Sequence, residues 1–165
     1  FRMAITPYYA SLIDPDDPTL AAPANMLAAL ADLARKTDQT LPESPGGVTR
    51  AILESLALKY RQVIDQLRPL APFEIRRLHV IGGGSRNAML NQFTADATGL
   101  EVHAGPVEST AIGNILVQAI AQGHIPSLAA GRELVAESFP VRRYHPANSR
   151  RWADAYERFR SMTMD

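Results

Sequence analysis

The segment Leu78-His79-Val80-Ile81-Gly82-Gly83-Gly84-Ser85-Arg86-Asn87 constrains the fold of this chain more than any other. A short apolar run ends in three consecutive glycines, and a Ser and an Asn then open an amphipathic stretch. Residues without Cβ atoms permit positive φ and let backbone approach a ligand closely. A helix opening after Ser85 would aim its unsatisfied N–H groups back at the turn, which favours an anion or a polar ligand there. The expectation is a buried strand, a glycine turn and a helix framing a nucleotide-sized site at the edge of an α/β sheet.

The surrounding periodicities set the context. Met26, Leu27, Leu30, Leu33 and Ala34 recur at helical spacing and predict a helix over residues 24–36. A polar loop over 38–47 precedes a long helix over 48–67, with Val48, Ile52, Leu56, Tyr60, Val63, Ile64 and Leu67 on one stripe. Pro69 and Pro72 stop it. Residues 75–81 read as a strand, and the helix after Ser85 carries Met89, Leu90 and Phe93 and ends at Gly99, a left-handed cap. A second strand over 100–103 follows, then a turn at Gly105-Pro106 and a small-residue helix over 109–122 closed by Gly123. A helix over 128–138, an extended segment over 139–144 and an amphipathic helix over 149–162 around Trp152, Tyr156 and Phe159 complete the chain. The order is mostly helical with a central β-α-β-α unit.

Composition narrows the function classes. Lys plus Arg and Asp plus Glu each number 17, so no net charge points to nucleic acid or to an anionic membrane. The 165 residues suffice for one domain with a core, and no apolar stretch reaches the roughly 20 residues of a membrane span. There is no cysteine, which removes disulfides and thiolate metal sites and fits a reducing, cytoplasmic compartment. His79, His103, His124 and His145 show no i, i+3 or i, i+4 pairing, so no metal site is expected. Asp14, Asp16 and Asp17 lie among prolines and read as turn residues, while Arg142, Arg143, Arg150 and Arg151 form a local basic cluster.

Several ligand folds use glycine turns. The dinucleotide fingerprint G-x-G-x-x-G is almost met, but Asn87 stands in its last position, and Glu101 falls at the start rather than the end of the next strand. The phosphate loop G-x-x-x-x-G-K-[ST] is excluded because no Lys follows. A tight structural turn without ligand stays open. The second constellation, Gly105-Pro106-Val107-Glu108-Ser109-Thr110-Ala111-Ile112-Gly113, predicts a helix capped by Ser109 or Thr110. Its Ala111 and Gly113 leave a bare face that permits close packing on the Gly82–Gly84 turn or a neighbouring helix.

Taken in order, residues 81–93 with Ala95-Asp96-Ala97, and residues 104–115 from Ala104 to Ile115, resemble the C-terminal domain of the FGGY carbohydrate kinases. Leu12-Ile13-Asp14-Pro15-Asp16-Asp17-Pro18 and Ser55-Leu56-Ala57-Leu58-Lys59-Tyr60 carry the likeness further, so that it spans residues 12–144. The resemblance implies part of an actin-like ATPase (ribonuclease H-like) C-terminal domain, α/β, helix-rich with a small central sheet. It implies an ATP-dependent sugar kinase whose adenosine-binding wall includes Gly82, Gly83, Gly84, Ser85 and Asn87. Gly83 and Gly84 would bring backbone against the adenosine, Asn87 a side-chain amide, and Gly82 and Ser85 the shape of the turn, with Met89 and Ile112 as further contacts. The cofactor would be ATP/ADP with Mg2+, the metal held mainly through phosphates and by residues outside this sequence.

On the same resemblance no catalytic residue is expected within the chain. The catalytic Asp, the phosphate-binding hairpin and the sugar pocket would lie upstream of Phe1. Residues 1–23 would be a connector from that upstream part, and 24–165 the adenosine-binding portion of the second kinase domain. Adenine nucleotide would be the partner bound here, sugar being held mainly by the upstream domain, with no nucleic acid and no membrane. The chain by itself is then expected to be inactive. Three other readings stay open: a kinase for another sugar such as xylulose, a non-catalytic nucleotide-binding module, and a structural module forming a homodimer through the 48–67 helix.

Overall fold

The computed structural model describes residues 23–163. The proposed connector and the Asp14–Asp17 turn therefore lie outside the described residues, Pro23 apart. Helix α1 (Met26–Lys36) starts at Asn25, whose side chain accepts the Ala28 N–H at 3.1 Å. Leu30 and Ala34 face the interior, whereas Met26 and Leu27 stay exposed.

Helix α2 (Pro45–Leu67) begins three residues before the expected Val48. Ser44 caps it, its Oγ accepting the Gly47 N–H at 3.1 Å, and Pro45 occupies the first turn, where a missing N–H costs nothing. The buried face follows the expected stripe at Val48 and Ile64 and departs from it elsewhere. Ala51, Glu54, Ser55 and Leu58 turn inward, while Tyr60, Val63 and Leu67 remain largely exposed. The small Ala51, Ser55 and Ala57 let a neighbouring helix come close, which a row of large apolar side chains would prevent. Glu54 is nearly fully buried, and its charge is met by Arg50 Nε at 2.9 Å.

The strands are β1 (Arg77–Val80), β2 (Glu101–Ala104) and β3 (Arg142–Tyr144). They form one sheet in that order, β1 and β2 parallel with Leu78 opposite Val102, and β2 and β3 antiparallel with Ala104 opposite Arg142. β1 and β3 fall inside the expected extended segments but are shorter, and β2 has the expected length shifted by one residue. β1 is an edge strand with alternating exposure rather than the buried strand expected; β2 is the buried one. The parallel pair is joined through helix α3 (Ala88–Thr98), which ends as expected on Gly99 in the left-handed conformation (φ 69°).

Helix α4 (Ser109–Ala121) and helix α5 (Leu128–Ser138) pack against each other, and helix α6 (Ser149–Thr163) returns to the core. There Trp152, Ala155, Tyr156 and Phe159 meet Ala57, Leu58 and Ala97, as the periodicity of the last segment predicts. Phe93 of α3 tilts against Trp152 with ring centroids 5.3 Å apart, and the Arg50 guanidinium lies over the Phe93 ring, 5.4 Å from its centroid. Burying side chains of this size contributes about 1.5–3 kcal/mol each and fixes α2, α3 and α6 as one block. Of the described helices, α4 has no buried residue, and Ile115 and Val117 are about two-thirds exposed.

Candidate functional site

The core block holds the carboxyl ends of β1 and β2 side by side, and the two glycine segments leave the sheet there. Their backbones are laced together. Gly105 N–H donates to the Val80 carbonyl at 2.9 Å, and Gly82 N–H donates to the Pro106 carbonyl at 3.1 Å. The packing of the second motif on the first, expected from its small residues, is therefore made by Gly105 and Pro106. Ala111 and Gly113 do not make it, since Ala111 is exposed and a Cβ added at Gly113 would meet nothing within 4 Å.

Residues Gly82–Arg86 form a 3-10 turn, so the helix that follows starts at Ala88 and not after Ser85. Gly82 has φ 75°, a conformation that L side chains rarely adopt, and it alone of the three glycines needs that freedom. Ser85 is buried and donates its Oγ hydrogen to the Gly82 carbonyl at 2.6 Å, closing the turn. Asn87 is the N-cap of α3, its Oδ1 accepting the Leu90 N–H at 3.0 Å. Gly83 and Gly84 lie exposed. A Cβ on Gly83 would meet nothing within 4 Å, and one on Gly84 would touch only Val80 Cγ1 at 3.7 Å. The bare backbone is thus uncovered, with room beside it.

Asn91 escaped the reading of the sequence. It is 1% exposed, and its Nδ2 donates to the Ser85 carbonyl at 3.1 Å and approaches the Gly84 carbonyl at 3.4 Å. An amide one turn into the helix that leaves the glycines, within reach of their carbonyls, was the available signal. The expected cap at Ser109 or Thr110 is not made. Glu108 holds the N-cap position of α4 without a side-chain hydrogen bond. Glu108 instead faces Arg86 across the two turns at 3.9 Å.

Beside the turns lies a cavity of about 430 Å³. Ser85 and Arg86 line it from the first turn, residues 104–108 from the second, and Phe139, Pro140 and Arg142 from the segment entering β3. Gly82, Gly83, Gly84 and Asn87 are not part of its lining; they form the adjoining open surface. Met89 and Ile112 are outside the cavity too, and Met89 is half exposed. Ligand sites in open α/β sheets fall at the carboxyl ends of parallel strands, which is where this cavity lies.

The alternate residues of the sheet make a polar face. His79 and His103 pair across β1 and β2 with ring centroids 5.1 Å apart, and His103 Nε2 lies 3.0 Å from Glu101 Oε1. That contact, with the charges around it, holds the Glu101 carboxyl below its ordinary range. Partial burial, then His103 and Arg77, push His79 down. Among the described residues no group of three or more His, Asp or Glu is placed to hold a metal ion. Nor is any described helix long and apolar enough to cross a membrane.

A β-α-β unit carrying two laced glycine turns over a cavity defines a class, and comparison with known proteins gives it a family. Residues 3–122 match the model of the FGGY family of carbohydrate kinases, C-terminal domain, and the chain belongs to that family. Within it the chain is similar to rhamnulokinases. The chain is 50% identical over 153 residues to the rhamnulokinase of Bacteroides thetaiotaomicron, covering 93% of this chain and 32% of that one. It is 44% identical over 140 residues to the rhamnulokinase of Enterococcus faecalis, covering 84% and 28%. The fold is that of a crystal structure of xylulose kinase from Rhodospirillum rubrum, with a TM-score of 0.58 and 22% identity over 95% of this chain and 36% of the other. The helix-rich architecture with a small mixed sheet, as expected, is thus shared with that structure. The chain spans about a third of the length of the curated relatives it matches.

Proposed function

We propose that this chain is the adenosine-binding, C-terminal portion of an ATP-dependent sugar kinase of the rhamnulokinase type. The observation that carries the reading is the uncovered backbone of Gly83 and Gly84 beside a cavity at the carboxyl ends of two parallel strands. A purine gains mostly from apolar packing with a few placed polar groups, and backbone without side chains allows both at close range. Gly83 and Gly84 lie against the adenosine, Gly82 and Ser85 hold the turn, and Asn87 offers its Nδ2 while Oδ1 caps α3. The exposed apolar residues of α4 support placing this chain within a larger protein, since such surfaces mark interfaces.

In the whole kinase an aspartate outside this sequence removes the proton of the sugar 1-hydroxyl. The resulting oxygen attacks the γ-phosphate of ATP, and L-rhamnulose and ATP become L-rhamnulose 1-phosphate and ADP. This chain's part is to bind and orient the nucleotide, which makes the reacting geometry frequent rather than rare. When bound, Mg2+ would supply charge neutralisation on the phosphates and would be held mainly through them. The residues described here include no carboxylate cluster for it. The kinase acts in the cytoplasm.

Calorimetric titration of the whole kinase with ADP tests the reading. Binding in the wild type and its loss in Gly84→Val or Asn87→Ala are expected. Absence of ADP binding by the intact wild type overturns it. Assay of the same protein against a panel of ketoses is expected to favour L-rhamnulose over xylulose.

A further inference from the structure

The cavity beside the glycine turns has a third wall that belongs to neither glycine motif. Gly105 has φ 126°, and a Cβ placed there would stand 3.0 Å from the Pro140 carbonyl oxygen and 3.8 Å from Val141 Cα. The chain entering β3 is therefore seated directly on bare backbone at the second turn. Pairing of Arg142 with Ala104 in the sheet fixes the same segment from its other end. Two independent restraints thus hold Phe139 and Arg142 at the cavity opened by Ser85 and Pro106.

The chemistry of that wall is divided. Pro106, Val107, Phe139 and Pro140 give the cavity an apolar lining, and Phe139 is still 38% exposed although it follows a helix. Of the two cations at the rim, Arg86 faces Glu108 at 3.9 Å, whereas Arg142 comes from the sheet. A flat apolar surface with a guanidinium at its border suits a heteroaromatic ring that carries an anionic tail.

We infer that Phe139 and Arg142 are nucleotide-binding residues of this kinase, Phe139 packing against the adenine ring and Arg142 neutralising the phosphate chain. The inference rests on the proposed kinase reading and extends its site beyond the glycine turns. It also assigns Gly105 as a positioning residue, because its missing side chain is what seats the Phe139–Arg142 segment.

The test uses the whole kinase, with ADP and adenosine as separate probes and binding read by calorimetry. Phe139→Ala is expected to weaken ADP and adenosine alike, by about tenfold, the scale of one lost base-aromatic contact. Phe139→Tyr keeps the ring and is expected to restore both. Arg142→Ala is expected to weaken ADP about tenfold and leave adenosine unchanged, since only the former carries phosphates. Thermal unfolding of each variant near the wild-type temperature shows that affinity, not folding, has changed. If wild type binds ADP and Gly84→Val abolishes it, while Phe139→Ala and Arg142→Ala bind both probes normally, the inference fails and the kinase reading stands. If the wild type binds neither probe, both fail.

Discussion

The side chain of Asn91 reaches back along α3 and donates its Nδ2 hydrogen to the carbonyl of Ser85, 3.1 Å away. Ser85 in turn closes on Gly82. A buried amide is thus the strut on which the exposed glycine turn rests, and it belongs to the rigid α2–α3–α6 block. A turn meant to present bare backbone has no side chains of its own to hold it, so the support comes from the next helix.

Removing that strut takes the side-chain donor from the buried Ser85 carbonyl. Asn91→Ala is expected to cost about 1–3 kcal/mol in a denaturant titration and to weaken ADP binding as the turn relaxes. Asn91→Asp should cost more than Asn91→Ala, because it sets a carboxylate against the Ser85 and Gly84 carbonyls.

The three glycines separate in their roles. Gly82→Ala forces a Cβ into φ 75° and is expected to lower stability by about 1 kcal/mol or more. Gly83→Val meets open space and should leave the melting temperature nearly unchanged while ADP affinity falls. Parallel thermal and calorimetric measurements check the contrast, and a Gly83→Val variant with unaltered affinity would argue against a ligand at this backbone.

Gly105→Ala combines a φ of 126° with a 3.0 Å approach to the Pro140 carbonyl. The backbone strain alone is expected to cost about 1–3 kcal/mol. Because the displaced segment carries β3, hydrogen exchange at residues 142–144 should rise with it. Unchanged exchange there would mean that the sheet absorbs the side chain without moving.

Tyr156 predicts an alkaline limit. Burial first, then the neighbouring Asp65 carboxylate, push its phenol up to about 12 from an ordinary value of 10.0. The neutral phenol is the form that folding favours, so its stabilisation is whole below pH 10 and is lost as pH rises from there to about 12. Denaturant titrations at pH 9 and pH 11 should show a smaller loss for Tyr156→Phe than for the wild type. Equal losses would remove Tyr156 from the account.

Much of this molecule was legible in its residues because the signals are local. The period of Trp152, Tyr156 and Phe159 defines the inner face of α6 whatever it packs on, and Gly99 ends α3 by backbone conformation alone. The strand, glycine turn and helix of the candidate site needed no tertiary information, nor did the likeness to the FGGY kinases. Local rules also contain the start of α2, since Ser44 is a cap and Pro45 suits the first turn of a helix.

What awaited the tertiary structure concerns residues far apart in sequence. Hydrophobicity placed Tyr60, Val63 and Leu67 inside, but the approach of α3 selected the small Ala51 and Ser55 instead. β1, expected as a buried strand, stands at the edge, since strand order depends on which partners arrive. The seat of Pro140 on Gly105 joins positions that no period connects. Sequence by itself determined the elements and the glycine turn, because propensity and backbone freedom act over a few residues. Only the tertiary structure decided which faces are buried and what walls the cavity, because those follow from close packing among segments that the chain brings together last.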